Sequence, residues 1–169
     1  TEIVLRAYAS LLRILPERER LPLVISGTIH SESNPLATPV RALIRELGIE
    51  EKVILLGYVS KEDLPSLYAL AQMFVYPSRY EGFGLPVLEA MTVGVPVITT
   101  RVSSLPEVGG TAVVYVHPDD QEALARSMKK LLHDKELHHK LVEDGREVAI
   151  NFGWRSFVNG IWRILMKQI

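Results

Sequence analysis

Five short apolar runs, separated by stretches of helical period, constrain this chain more than any other feature. The runs cover 21–27, 52–57, 73–76, 95–99 and 113–116. Most of them place apolar residues at consecutive positions instead of alternating them with polar ones, as strands covered on both faces do. Between the runs the period changes to that of a helix. In 3–15, Ile3, Leu5, Tyr8, Leu11, Leu12 and Leu15 share one broad face, and Pro16 closes it. The segment 40–47 ends at Gly48, a C-cap residue. At 60–70 a helix opens on Ser60, with Asp63 as the acid of its first turn. Further helices are expected over 85–93, 118–132, 135–150 and 154–167, and the polar, proline-broken stretch 28–39 reads as a loop. Strict alternation of this kind predicts an α/β fold, a doubly wound Rossmann-like parallel sheet with helices on its faces.

A length of 169 residues fits one domain with a sizeable core. Nineteen basic against twenty acidic residues leave no basic excess for a nucleic-acid partner. Cysteine is absent, which excludes disulfides, thiolate metal sites and a cysteine nucleophile. No apolar run nears the roughly 20 residues needed to span a bilayer. Thr1-Glu2 leads directly into the amphipathic pattern, with no signal peptide, so a cytoplasmic setting is the simplest expectation.

In a doubly wound sheet, ligands bind beyond the carboxyl ends of the strands. Two of the loops there stand out. The first runs Tyr76-Pro-Ser78-Arg-Tyr-Glu81-Gly82-Phe83-Gly84-Leu85-Pro86 and then into a helix that carries Glu89. Gly82 and Gly84 permit close approach to a ligand, and Pro86 suits a first helical turn. The amide end of that helix is a seat for phosphate. A carboxylate beside a phosphate needs another task, and two oxygens suit the hydroxyls of a ring. A diphosphate between two hydroxyl-bearing rings is a nucleotide-sugar. On spacing alone, the same residues serve equally well as turn glycines and as acids favoured by the helix dipole. The second loop, Gly57-Tyr58-Val59-Ser60, could flank a flat base or simply turn the chain into the next helix.

Together these residues resemble the C-terminal, donor-binding domain of retaining family 4 (group 1) glycosyltransferases, which have the two-domain GT-B fold. The resemblance rests on Gly57-Tyr58-Val59 and on 77–91, with its frame of Glu81 and Glu89 around Gly-Phe-Gly-Leu-Pro. Gly94-Val95-Pro96-Val97-Ile98 and Ser104-Leu105-Pro106-Glu107-Val108 continue it. It implies that residues 1–169 form one nucleotide-sugar-binding domain, with 154–168 as the helix that crosses back to an N-terminal domain. Sugar would pass, without a metal or other cofactor, from a nucleotide diphosphate (UDP, GDP or ADP) to a glycan or lipid acceptor. Glu81 would be the catalytic residue, contacting hydroxyls of the donor sugar, and Glu89 would hold the ribose. Gly82, Phe83, Gly84, Leu85 and Ser78 would surround the sugar and diphosphate, and Gly57, Tyr58 and Val59 the base. The run 103–108 is similar to mannosyl-transferring relatives.

The chain departs from the family pattern at its start. Ile3 to Leu15 matches the family's first helix of this domain, so the first strand, its basic phosphate-binding loop and the acceptor domain are expected outside this chain. That strand is a central one in the doubly wound order. Arg79 and Arg101 are local candidates for its charge, although a solvated surface role suits each. A non-catalytic nucleotide-sugar module and a GT-B nucleotide-sugar epimerase are the alternative readings. A cytosolic membrane face is a further expectation for the whole protein. Trp154, Phe157, Ile161, Trp162 and Leu165 form an apolar stripe that either packs into the core or drives self-association. His133, His138 and His139 read as solvated side chains before metal ligands.

Overall fold

The computed structural model describes residues 1–28 and 38–166, and of residues 154, 155 and 157 the backbone alone. Helix α1 (Glu2–Ile14) leads to strand β1 (Leu23–Ser26), α2 (Val40–Leu47), β2 (Val53–Gly57), α3 (Leu64–Ala69) and β3 (Phe74–Tyr76). Then follow α4 (Leu85–Val93), β4 (Val97–Thr100), α5 (Leu105–Gly109), β5 (Val114–Val116), α6 (Gln121–His133), α7 (Lys135–Ile150) and α8 (Trp154–Met166). The alternation expected from the sequence is therefore present, and every strand pair is parallel. Most of the loop expected at 28–39 lies outside the described residues, as does Lys167 at the end of the last helix.

Local chemistry sets several of these boundaries. Asp120 and Asp134 each accept an N-terminal amide, from Ala123 and Leu137, and so start α6 and α7. The helix expected from Ser60 begins later, at Leu64. Ser60 does accept the Asp63 amide at 3.1 Å, but Pro65 has no N–H to continue the ladder, so the turn 61–63 precedes the helix proper. Helix α5, which begins within the run 103–108, carries no helical period long enough to be read from sequence.

The five strands do not join into one sheet. β1 pairs with β2, and β3, β4 and β5 form a separate three-stranded sheet in that order. One apolar cluster nevertheless lies under both. Leu23, Ile25, Val53, Leu55, Val75, Ile98, Val114 and Val116 meet α1, α2 and α6 through residues such as Leu5, Leu12, Ile44, Leu124 and Met128. Tyr8 of α1 holds the entries to β1 and β2, its hydroxyl donating at 2.7 Å to the Leu21 carbonyl and lying 3.1 Å from that of Lys52.

The second face differs between the sheets. Over β3–β5 it is covered by α3, α4 and α5, where Phe74, Tyr76 and Val97 meet Tyr68, Val87, Met91 and Leu105. In β1 and β2 the corresponding residues Val24, Ile54 and Leu56 are 39%, 45% and 45% exposed. The expectation of cover on both faces thus holds for one sheet only. Consecutive apolar residues in a strand state what its faces could bury, while cover also needs a helix in the right place.

The apolar stripe of α8 is resolved in the same way. Ile161, Trp162 and Leu165 are exposed, which excludes core packing for them, while Trp154 and Phe157 lie outside the described side chains. No described helix is long and apolar enough to cross a membrane.

Candidate functional site: two tethered carboxylates around a helix start

The site is built on the doubly covered sheet. β3 ends at Tyr76, and the chain loops through 77–84 into α4. Two buried hydroxyls on β4 hold the start of that loop: Thr99 donates to the Tyr76 carbonyl at 2.8 Å, and Thr100 donates to the carbonyl of Ser78. Both threonines are fully buried. Ser78 donates its own hydroxyl to the Tyr80 carbonyl at 3.0 Å, and Ser104 donates to the Glu81 carbonyl at 3.1 Å. The loop is thus fastened from β4 and from the start of α5 before it reaches the helix.

Gly84 is the N-cap of α4, with φ near 100°, and a Cβ there would stand 2.8 Å from Leu105 Cδ2. Glycine is needed for both reasons. Gly82 is the opposite case. Its φ is ordinary, it is exposed, and a Cβ there would meet nothing within 4 Å. The fold does not require glycine at that position, so the open space above it is available to something outside the chain.

Leu85, 57% exposed, opens α4, and Pro86 follows without an amide to leave unpaired. The first turn carries no acid. Val87, Ala90 and Met91 bury the opposite face, and Arg146 donates to the Val93 carbonyl at the far end. Phe83, offered from sequence for its backbone amide, turns its ring edge-on to Phe152 at 5.9 Å.

The two acids stand on this frame. Glu81 is half-buried and accepts a hydrogen bond from the Tyr76 hydroxyl at 2.6 Å. Glu89 is exposed and accepts one from the Tyr68 hydroxyl at 3.2 Å. The two phenols belong to one aromatic row. Tyr68 meets Phe74 edge-to-face at 5.1 Å, and Phe74 stacks on Tyr76 at 5.6 Å. Burial, with the neighbouring carboxylate second, pushes both phenols well above the usual tyrosine range, so both remain donors.

Gly57, Tyr58 and Val59 lie at the end of β2, in the other sheet. Gly57 has φ near 70° and accepts the Gly27 amide at 2.7 Å, while Tyr58 is 82% exposed. A ligand touching these residues and the acids would bridge the two sheets. Arg79 is spent on Asp119, and Arg101 lies over the Tyr115 ring at 4.4 Å. Two hollows of about 420 and 410 Å³ sit elsewhere, between α1 and α6 and beyond β4 and β5. Neither is lined by Glu81 or Glu89. Among the described residues no group of three His, Asp or Glu is placed to hold a metal. His133 instead meets Glu19, and His139 meets Glu143.

Sequence reasoning missed Tyr68, Tyr76, Thr99 and Thr100. The threonines carried a signal, because two consecutive hydroxyls in a strand buried on both faces must each find an acceptor. The tyrosines carried none, since an aromatic residue in a strand or an amphipathic helix is ordinary core.

The comparisons with known proteins agree with this architecture. The family model described as Glycosyl transferases group 1 matches residues 1–148. This chain belongs to that family. It is 43% identical over 155 residues to the O-antigen chain mannosyltransferase B of Escherichia coli, covering 90% of this chain and 39% of that protein. A sucrose-phosphate synthase structure from Thermosynechococcus elongatus superposes with a TM-score of 0.76 at 26% identity, over 98% of this chain and 43% of the other. The Anabaena HepE protein, solved in complex with UDP and glucose, shares the fold with a TM-score of 0.77 at 19% identity, over 96% of this chain and 44% of its own. The chain thus spans about two fifths of the length of these relatives.

Proposed function

We propose that residues 1–169 form the donor-binding domain of a retaining glycosyltransferase that moves a sugar from a nucleotide diphosphate to a glycan or lipid acceptor. The observation that carries this reading is the pair Glu81 and Glu89, each tethered, around the acid-free start of α4. In this reading the diphosphate meets the amide end of α4 and the open space above Gly82. Glu81 accepts hydroxyls of the sugar, and Glu89 accepts those of the ribose. The base lies toward Gly57, Tyr58 and Val59. As the bond from the anomeric carbon to phosphate breaks, its electron pair leaves with the nucleoside diphosphate. The helix amides stabilise the charge that develops there. An acceptor hydroxyl then makes the new bond to the anomeric carbon and gives its proton to the departing diphosphate oxygen. The acceptor, further basic groups and the surface that meets α8 belong to the rest of a longer protein, working in the cytoplasm or at its membrane face. HepE, described with UDP and glucose, supports a nucleotide-sugar ligand, and the mannosyltransferase relative makes a mannosyl nucleotide the first donor to try.

Calorimetric titration of this chain with UDP-, GDP- and ADP-sugars, and with the corresponding diphosphates, tests the reading. One nucleotide is expected to bind. Glu89→Ala should weaken the diphosphate and its sugar conjugate alike, by about tenfold, the order expected for a hydrogen bond to a charged group. Glu81→Ala should weaken only the sugar conjugate. Failure of every nucleotide to bind, or equal effects of the two variants on both ligands, would overturn it.

A further inference from the structure

The mechanism just described uses the two carboxylates and leaves their partners unexplained. Glutamate is a poor ligand holder by itself. Its three rotatable bonds must be frozen on binding, and the entropy lost opposes the contact. An exposed Glu89 and a half-buried Glu81 should both suffer from this. Each, however, is gripped at one oxygen by a phenol. Tyr76 occupies Oε1 of Glu81, and Tyr68 occupies Oε2 of Glu89. The phenol rings are themselves packed. Tyr68 is 8% exposed, Tyr76 is packed on Phe74, and Phe74 touches both rings. The carbonyl of Tyr76 is held in addition by Thr99.

We infer that Tyr76 and Tyr68 are positioning residues that fix the rotamers of Glu81 and Glu89 through one shared aromatic row. This rests on the reading of those acids as donor-binding groups. The tether has a second consequence. It leaves Oε2 of Glu81 and Oε1 of Glu89 as the freer acceptors, so each acid presents a defined oxygen to a hydroxyl instead of a rotating pair. The row also makes the two ends of the ligand site one rigid unit. Phe74, which bonds to neither acid, packs against both phenol rings.

The changes Tyr76→Phe and Tyr68→Phe remove only the hydroxyls and keep the rings. Tyr76→Phe should lower affinity for the nucleotide-sugar about three- to tenfold and leave the diphosphate unchanged. Tyr68→Phe should lower both. In a Glu81→Ala background, Tyr76→Phe should have no further effect, because it acts only through that carboxylate. If Glu81→Ala weakens the sugar conjugate but Tyr76→Phe does not, or if the two effects simply add, the positioning role is wrong while the donor reading stands. If Glu81→Ala itself has no effect, the donor reading has failed. A ligand-free measurement decides the tether in either case. Three-bond couplings across χ1 of Glu81 should report one rotamer in the parent chain and averaging in Tyr76→Phe. One unchanged rotamer in that variant would overturn the inference.

Discussion

The β1–β2 sheet and the β3–β4–β5 sheet start from similar sequence material and end differently. Both are parallel, both place apolar residues at consecutive positions, and both rest one face on the same apolar cluster. Only the second is covered on its other face, by α3, α4 and α5. There β4 is buried at every position, including Thr99 and Thr100. In the first sheet burial alternates along the strands, leaving Val24, Ile54 and Leu56 open. The site follows the difference. A strand sealed on both sides can hold two hydroxyls dry and direct them at loop carbonyls, and it can support an aromatic row carrying two phenols. The half-open sheet offers a positive-φ turn and an exposed Tyr58. The fastened loop and both tethered carboxylates therefore lie on the doubly covered sheet, and the exposed turn 57–59 lies on the other.

The comparison breaks most readily at two isoleucines, Ile98 on the face of β4 that rests on the shared cluster and Ile54 on the open face of β2. Ile98 is fully buried and Ile54 is 45% exposed. Ile98→Ala should cost about 2–5 kcal/mol, as truncation of a buried side chain does. Ile54→Ala should stay within about 1 kcal/mol. Urea unfolding of the two variants measures both, and equal losses would mean that the outer face of β1–β2 is covered after all.

A smaller effect concerns the buried hydroxyls. Thr99→Val keeps the shape but removes one of two donors to the Tyr76 carbonyl, which still accepts the Ser78 amide at 2.9 Å, at a cost of about 0.5–1.5 kcal/mol. Amide exchange should rise across 77–84 and leave β1 and β2 unchanged. Uniform loosening of both sheets would remove the distinction drawn between them.

The smallest effect is electrostatic. His133 on α6 is held above its ordinary value of 6.5, first by its bond to the Lys129 carbonyl and then by Glu19. A group raised in the folded state stabilises fully below its unfolded value, and that contribution is lost as pH rises through the folded one. His133→Gln should therefore flatten the pH dependence of the melting temperature just above pH 6.5. It should leave the two tyrosine variants indistinguishable from their parents in that window. Retention of the full slope in His133→Gln would place its origin elsewhere.

Much of this protein was legible before its structure. The order of strands and helices followed from a change of apolar period, and α7 matched its expected limits because Asp134 caps it. The Glu81 and Glu89 frame stood out because two acids bracket a Gly-x-Gly-x-Pro helix start. Positive φ at Gly57 and Gly84 agreed with glycines placed at a strand end and a helix start. Each of these depends on neighbours within a few residues, where backbone sterics and hydrogen-bond reach decide the outcome. The division into two sheets, the open face of β1–β2, the exposure of Trp162 and the choice of Tyr68 and Tyr76 as partners of the acids depended on segments far apart along the chain. A periodic pattern states what a face could bury or what a hydroxyl could donate. Which helix arrives to cover that face, and which carboxylate lies at 2.6 Å, is settled by packing alone.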